Sequence, residues 1–457
     1  MSSDMSVNST ADSLDSRQRP IAPPWLYGAV LLVIAMAPSQ LSWSPDPKHG
    51  PFIAYGDAMA ALVIALWALW RLRSGLSGLL WPPMAVGGML LVALLSAGMA
   101  ESPKLTALIL IQIALYFAAA YMLFADVLTD KSRIKGALLA LALPTAVNLG
   151  LATSQYFTAE TPFEVGALLS NRNVYSAYMA IVLPLGFGIW LWVQQRPAQW
   201  ALGAVMVLGA VTMLSPPLVW VALLVMAVQT WFASRPASYR GALVVLATAV
   251  LVVVLPRNHD IAVQELLDAQ EEGPLHKLQT ELGEVEEDSY IVKKRWLEWM
   301  PALNMMAENF MLGVGGGNFQ LNIGRSEYYG FLPNVRKSEP DTNNLYLVVG
   351  SSMGFAGLIC LVAYIGRFWT WALALVHRIE PGGWMTGLAV GLAGSVAALT
   401  LVNIFTSVFV RGTGLVWALL FAIIGIINEG RIASRRDKQL LSDVQGASQG
   451  SEHHAQN

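Results

Sequence analysis

The chain has little charge and almost no cysteine. Of its 457 residues only one is cysteine, Cys360, and only 13% are Asp, Glu, Lys or Arg. A single cysteine excludes an internal disulfide framework and a cysteine-based metal site. The six histidines show no metal-ligand spacing, and the net charge of −2 gives no basis for recognising nucleic acid. The composition therefore predicts neither a metal site nor a nucleic-acid partner.

The two ends of the chain have no apolar runs. The first 20 residues are rich in Ser, Asp and Asn, and without an apolar core they do not form a cleaved signal peptide. Residues 1–24 and 430–457 are therefore expected to be polar cytoplasmic tails, the second of them disordered.

Apolar residues dominate the rest of the sequence. Hydrophobic residues make up 55% of the chain and its mean hydropathy is +0.52, far above the norm for soluble proteins. Apolar runs of about 17–25 residues can cross a hydrocarbon core of about 30 Å. The pattern predicts an all-α polytopic membrane protein with about 12 transmembrane helices, at residues 25–43, 52–71, 80–99, 104–126, 134–154, 174–193, 199–214, 216–232, 240–256, 344–366, 384–406 and 411–429.

Two prolines leave the run at residues 199–232 open to two interpretations. Pro216 and Pro217 either separate two helices or kink a single one, and a single helix would reduce the count to eleven. With the N-terminus in the cytoplasm, twelve spans place 16 Lys and Arg in inside segments and 4 in short outside loops. The positive-inside rule therefore favours twelve spans, with both termini cytoplasmic.

A polar loop at residues 257–342 separates the first nine predicted spans (25–256) from the last three (343–429). It carries 15 Asp and Glu and 8 Lys and Arg. The twelve-span topology places it on the outer face. A loop of this length is rarely without function.

The loop contains amphipathic segments and a glycine-rich run. Apolar spacing in residues 261–287 predicts two short helices separated at Gly273 and Pro274. Residues 296–303 predict a further helix, which either lies among lipid headgroups or packs on the bundle. The run at 313–317 lacks the Lys-Ser/Thr of a phosphate loop. It is either a plain turn or one whose amides approach a diphosphate.

The order and spacing of several motifs resemble the bacterial O-antigen ligase and polymerase superfamily. These motifs are RWLEWMPAL at 295–303, ENFMLGVGGGNF at 308–319, DTNNLYL at 341–347 and GFAGL at 354–358, preceded by SNRNV at 170–174 and LPL at 183–185. The similarity covers residues 165–365 by motif and the whole chain by topology.

The resemblance implies a glycosyltransferase of the bacterial inner membrane. Members of the superfamily move a glycan from an undecaprenyl diphosphate carrier to a lipid, glycan or protein acceptor on the periplasmic side. This chemistry needs cations for the diphosphate, a group that deprotonates or orients the acceptor, and an opening for the polyprenyl tail. It needs no nucleotide, metal or other cofactor. Membrane lipids and other polysaccharide assembly proteins are the further partners implied, in the assembly of lipopolysaccharide or another surface polysaccharide.

Two positions depart from the pattern of the superfamily. Asn343 stands where a histidine is usual, and Pro216 follows Ser215 where an arginine is frequent. An amide cannot accept the acceptor's proton, so Asp341 becomes the candidate base beside Asn343 if apolar surroundings raise its pKa. Alternatively, Asp341 or Thr342 caps the helix that follows.

The cations that remain could bind the diphosphate. The candidates on the predicted periplasmic face are Arg172, Arg295, Arg325, Arg336, Lys337 and Arg411. Arg172 and Arg411 are favoured because short loops place them at membrane depth, where a cation needs a partner, and because the guanidinium fork matches phosphate. Each could instead be an interfacial anchor or part of an internal salt bridge.

The sequence is also compatible with two other functions. The departures at Asn343 and Pro216 are also expected of a catalytically inert relative that binds lipid-linked glycan or scaffolds an assembly complex. A polytopic transporter is the other alternative. Transporters of this size often have two related halves and charged, broken helices at the midplane, whereas this chain concentrates its charge in one loop.

The topology can be tested with reporter fusions. We expect fusions after Gln270 and Arg325 to report the periplasm, and fusions after Arg133 and Arg436 to report the cytoplasm. The reason is that most Lys and Arg residues outside the long loop lie in the segments predicted to be cytoplasmic. Alkaline phosphatase and fluorescent-protein reporters measure this directly. A cytoplasmic signal at Gln270 would overturn the functional interpretation, since the implied chemistry takes place on the export side.

Overall fold

The structure is a computed structural model of the whole chain. The residues it describes are 20–43, 53–158, 165–169, 172–193, 196–233, 235–255, 299–323, 325–329, 342–379, 382–407 and 412–429. The predicted helices at 261–287 lie outside this part of the chain.

Helices account for most of the described residues. They are α1 (Pro24–Met36), α2 (Tyr55–Ser74), α3 (Met84–Ser96), α4 (Pro103–Ile113), α5 (Tyr121–Val127), α6 (Lys131–Thr158), α7 (Arg172–Leu191), α8 (Arg196–Val211), α9 (Pro216–Trp231), α10 (Arg235–Val254), α11 (residues 299–308), α12 (Phe319–Asn322), α13 (Ser326–Tyr329), α14 (Leu345–Arg378), α15 (Trp384–Phe405) and α16 (Thr413–Asn428).

Each of the twelve predicted apolar runs contains a helix. Among the described residues, seven helices are long and apolar enough to cross a membrane, and five apolar helices of 10–17 residues are shorter. A π-helical stretch, Ala114–Ala120, joins α4 to α5 within one predicted run. The structure thus supports a helical multi-pass membrane protein, and the number of twelve spans stays a prediction.

Prolines explain several helix boundaries. Pro216 is the first residue of α9, which ends the ambiguity at residues 199–232 in favour of two helices. Proline is favoured there because the first helical N–H has no partner inside the helix. The predicted run at 25–43 was too long: α1 ends at Met36, just before Pro38, and Ser42–Trp43 pairs instead with Ile53–Ala54 in a short antiparallel ladder.

Close packing of α7 against α15 forms the centre of the bundle. A Cβ atom added to Gly188 of α7 would lie 2.3 Å from the backbone nitrogen of Gly391 in α15. Small residues of this kind let membrane helices approach each other closely. Ser395 of α15 also donates to the carbonyl of Ile181 at 2.9 Å. The two helices therefore run along each other over most of their length.

A buried ion pair holds the ends of α2 and α5 together. Arg71 Nε lies 3.0 Å from Asp126 Oδ2, and both side chains are almost fully buried. Trp67 Nε1 donates to the same carboxylate at 2.9 Å. Arg71 also donates to the carbonyls of Gly75 and Ser77. Because a buried charge is stable only with such partners, removing one of them would be strongly destabilising.

The long loop docks on the opposite end of the bundle. Ala302 and Met305 of α11 are fully buried in a small apolar cluster with Phe319 and Ile323, against the partly buried Val348 of α14. The sequence left open whether this helix lies among headgroups or packs on the protein. The structure shows that residues 299–308 pack on the protein, against α14.

Helix α14 breaks at the point where the loop touches it. Gly354 has φ 66° and ψ −172° inside the helix. The freed backbone bonds to the loop, since Phe355 N donates to Phe310 O at 2.7 Å and Val314 N donates to Ser351 O at 2.9 Å. Beyond the break the helix continues to Arg378, twelve residues past the predicted end of its span.

The contact at Gly354 predicts a stability difference between two glycines of α14. A Cβ on Gly354 would meet Met311 O at 2.2 Å, whereas one on Gly366 would meet nothing within 4 Å. We expect Gly354→Ala to destabilise the protein by at least about 2 kcal/mol, from backbone strain and clash. Gly366→Ala should be neutral or stabilising by up to about 1 kcal/mol. Thermal unfolding in detergent measures both, and equal midpoints would contradict the docked loop.

Candidate functional site

The segment before Arg172 is tied to two neighbouring elements. Asn148 of α6 accepts from Leu168 N at 3.0 Å and donates to Pro38 O at 2.8 Å. Gln155, two turns along α6, accepts from Ala167 N at 2.8 Å. Gln40 N donates to Leu168 O at 2.9 Å. These bonds fix residues 165–169 between α6 and the turn that follows α1.

Arg172 begins α7 immediately after this anchored segment, and its side chain is partly buried. One turn further along, Tyr175 shares a hydrogen bond of 2.8 Å with Thr212 at the end of α8. Tyr178 is bonded to Thr145 of α6. The start of α7 is therefore held from both sides, which limits how far Arg172 can move.

The residue that follows Arg411 is attached to the same turn after α1. Gly412 N donates at 3.0 Å to Oδ1 of Asp57, a residue in the first turn of α2. A Cβ on Gly412 would lie 2.3 Å from Ala37 O, so the two backbones are in direct contact. Arg411 itself lies outside the described residues. Residues 37–41, which we call the α1 turn, thus contact both the segment that leads to Arg172 and the residue next to Arg411.

Asn343 lies at the start of α14, in a strained backbone conformation with φ 49°. The cap of α14 is Asn344, whose side chain accepts from Leu347 N at 3.1 Å. The sequence interpretation gave this role to Asp341 or Thr342 and was wrong for Thr342, which instead donates to Asn344 O at 3.3 Å. Trp299 Nε1 donates to Thr342 O at 3.2 Å, so α11 helps to fix this position.

The starts of α7 and α14 lie on the same end of the bundle and both flank α15. Tyr346 donates to Thr400 O of α15 at 2.9 Å, while α7 runs along α15 from Ile181 towards Gly188. The structure thus brings Arg172 and Asn343 to one end of the protein. Of the other candidate residues, Arg325 forms an ion pair with Glu101 at 2.7 Å. The rest lie outside the described part of the chain: Asp341, Arg295, Arg336, Lys337 and Arg411.

The glycine-rich turn is used for packing. Gly316 N donates to Ser96 Oγ at 2.9 Å, and Thr106 donates to Gly316 O at 2.8 Å. The fully buried Asn318 accepts from Ser102 N at 2.7 Å. Because Val314 N is bonded to Ser351 as well, few amides of this turn remain for a diphosphate. The structure favours the plain turn.

A tyrosine in the docked loop is a poor candidate for the base. Burial raises the pKa of Tyr328, and the neighbouring carboxylates of Glu327 and Glu308 raise it further. The phenol therefore stays protonated near neutral pH. It can donate a hydrogen bond there, but it cannot remove a proton from an acceptor hydroxyl.

Sequence reasoning missed three polar residues that support this end of the bundle. Asn148 lies inside the run predicted as a span at 134–154, Gln155 is the first residue beyond that run, and Asp57 was not singled out. Polar residues inside a span usually have partners, and the seven-residue spacing of Asn148 and Gln155, which places both on one face of α6, was the available signal. Nothing local in the sequence pairs Asp57 with residue 412.

Comparison with known families agrees with the resemblance drawn from the motifs. A family model described as O-antigen ligase matches residues 165–362. The match begins at the anchored segment before Arg172 and ends in α14, so it includes both Arg172 and Asn343. It supports membership of the O-antigen ligase superfamily. No curated protein matches the chain.

The anchor at Asn148 can be tested by substitution. Asn148→Ala would leave Leu168 N and Pro38 O without their partner in a buried place, and we expect a loss of stability of about 2–4 kcal/mol. Thr153→Ala, on the same helix, is the matched control, because within the described part of the chain the Thr153 hydroxyl bonds only to the carbonyl of Leu149 in its own helix. Unfolding in detergent compares the two. If both variants melt together, Asn148 does not hold the segment before Arg172.

Proposed function

We propose that the chain transfers a glycan from an undecaprenyl diphosphate carrier to a lipid, glycan or protein acceptor. The reaction takes place at the end of the bundle where the long loop docks, on the periplasmic side of the inner membrane. The observation that carries the proposal is the O-antigen ligase match over residues 165–362. That segment contains the start of α7 and the docked loop, which are both fixed to the bundle by hydrogen bonds.

The α1 turn supports a role for arginine in binding the diphosphate. It contacts the segment before Arg172 and the residue after Arg411. In the proposal both guanidinium groups face the diphosphate of the carrier. Two forks of this type match the oxygens of a diphosphate and stabilise the charge that develops on the leaving group.

The proposed base is Asp341. It precedes the capped start of α14 by a few residues, next to Thr342, whose carbonyl is held by Trp299. Asn343 then orients the acceptor hydroxyl through its amide and takes no proton. Arg295, Arg336 and Lys337, all in the loop, supply further positive charge for the donor.

A second candidate function is binding without transfer. It is favoured by one observation, the amide of Asn343 at a position where the superfamily usually has histidine. In that case the protein presents lipid-linked glycan to other assembly proteins. We favour the enzyme, because a binding protein has no evident need for a loop docked so tightly beside the start of α14.

Measurements of donor binding test whether the two arginines contact the diphosphate. We expect Arg172→Ala and Arg411→Ala each to weaken binding of an undecaprenyl diphosphate-linked glycan by about 1.5–3 kcal/mol, the worth of a charge-assisted hydrogen bond. Lysine at either position should rescue binding only in part. Lys104→Ala, an exposed cation of the same end, is the control and should leave affinity unchanged. Unchanged affinity in both alanine variants, with the proteins still folded, would remove these arginines from the site.

Transfer by the purified protein decides between the two functions. If Asp341 is the base, Asp341→Asn should lower the rate about 10²–10⁴-fold, the usual contribution of a general base, and Asn343→Ala should have a smaller effect. Glycan appearing on an added acceptor is the measurement. Donor binding without transfer, with turnover created by Asn343→His, would establish the inert relative instead.

A further inference from the structure

Two cavities meet at Arg240, at the end of the bundle opposite the docked loop. The first, of about 680 Å³, is an apolar groove between α6, α8 and α10, with Gly203, Ala204 and Val244 in its wall. The second, of about 780 Å³, lies where α14 ends and α15 begins. Gln199 and Arg240 line both cavities, so the two adjoin at this pair of side chains.

The second cavity has the chemistry of an anion site. His377 and Thr386 line it together with the backbone of Gly382 and Gly383. Gly383 is the N-cap of α15 and lines this cavity, so the positive end of a 22-residue helix borders the space. None of the lining residues within the described part of the chain carries a carboxylate. Negative charge on a ligand would therefore be stabilised here.

Arg240 stands where the polar and apolar cavities join. Its Nη1 donates to Gln199 Oε1 at 3.0 Å, and Trp190 Nε1 donates to the carbonyl of Gln199 at 2.7 Å. The guanidinium is thus oriented by a residue that is itself held. A fork of N–H donors in this position matches a phosphate group whose apolar tail continues into the groove.

The surrounding surface has the character of a membrane interface. Trp200 is 81% exposed, Trp231 88% and Tyr239 77%, all near the same end of α8, α9 and α10. Exposed Trp and Tyr of membrane proteins gather at the level of the lipid headgroups. The positive-inside rule assigns this end to the cytoplasmic leaflet, which is the leaflet rich in anionic lipid.

We propose that this composite cavity binds one anionic phospholipid of the cytoplasmic leaflet. The phosphate contacts Arg240 and the start of α15, and an acyl chain occupies the groove between α6, α8 and α10. Basic pockets between transmembrane helices on this side of a membrane are known hosts of anionic headgroups. The site is separate from the transfer site proposed above and does not depend on it.

The length of the groove also fits a second kind of lipid, a polyprenyl chain. Between Arg240 and Leu255, α10 rises about 22 Å at 1.5 Å per residue, whereas one leaflet of the hydrocarbon core is about 15 Å thick. A polyprenyl tail that enters from the loop end could therefore also lie in the groove. Its diphosphate would then be far from Arg240, and this difference separates the two lipids in an experiment.

Lipid binding to the purified, delipidated full chain tests the proposal. Native mass spectrometry compares phosphatidylglycerol with phosphatidylcholine of the same acyl chains, and glycerol phosphate serves as the headgroup without a tail. We expect phosphatidylglycerol to bind about tenfold more tightly than phosphatidylcholine, and Arg240→Ala to remove that preference. Arg240→Lys should retain part of it. Glycerol phosphate should not compete at equal concentration, because it lacks the apolar tail.

Substitutions in the groove test the position of the acyl chain. A Cβ on Gly203 has its nearest neighbour at 3.7 Å, so Gly203→Leu fills the groove without a backbone clash and should weaken both phospholipids. Ala204→Leu serves the same purpose should that variant fail to fold. Gly87→Leu and Arg73→Ala, on exposed surface elsewhere, are the matched controls.

Three results would overturn the proposal. One is equal affinity of the wild type for the two phospholipids. Another is an Arg240→Ala variant that behaves like Arg73→Ala. The third is displacement of phosphatidylglycerol by undecaprenyl diphosphate whose own binding is lost in Gly203→Leu and unchanged in Arg240→Ala. That last result would assign the groove to the polyprenyl tail.

Discussion

The rest of this end of the structure depends on the close backbone contact between the loop and the break in α14. Gly354 adopts a conformation that other residues rarely reach, and its helix gives up part of its own hydrogen bonding to accept the loop. Exposed backbone groups are costly at membrane depth, so such a break persists only when other polar groups satisfy it. The glycine-rich turn provides that backbone and continues to Ser96 and Asn318, which fix it to α3 and α4.

This contact explains how a long polar loop can hold a site in position. α11, a helix of this loop, packs against α14, and its Trp299 fixes Thr342 at the start of α14. On the other side of α15, Asn148 and the α1 turn hold the segment before Arg172. The two candidate site segments are therefore fixed by separate sets of hydrogen bonds on one bundle. A site on rigid supports of this kind is what transfer between two large substrates requires.

Much of the fold could be predicted from hydropathy, because burial in lipid demands long apolar runs and prolines mark where they stop. The separation of α8 from α9 at Pro216 is an example. The break at Gly354 and the buried pair of Arg71 with Asp126 could not be predicted, since each depends on a partner far away in sequence. The partners of Asn148 could not be predicted for the same reason. Motif order pointed to the same superfamily that the family match names, over nearly the same residues. It gave no information on which residues cap α14 or hold the start of α7.

The proposed function depends on one step above all, the binding of the diphosphate of a lipid-linked glycan at the loop end of the bundle, beside the α1 turn. An experimental structure of the full chain with undecaprenyl diphosphate bound is its most direct test. We predict that the diphosphate lies within hydrogen-bonding distance of Arg172, on the side of α15 where residues 37–41 meet Leu168 and Gly412. A diphosphate bound at the Arg240 end of the bundle, or at the loop end but out of reach of Arg172, would contradict this proposal.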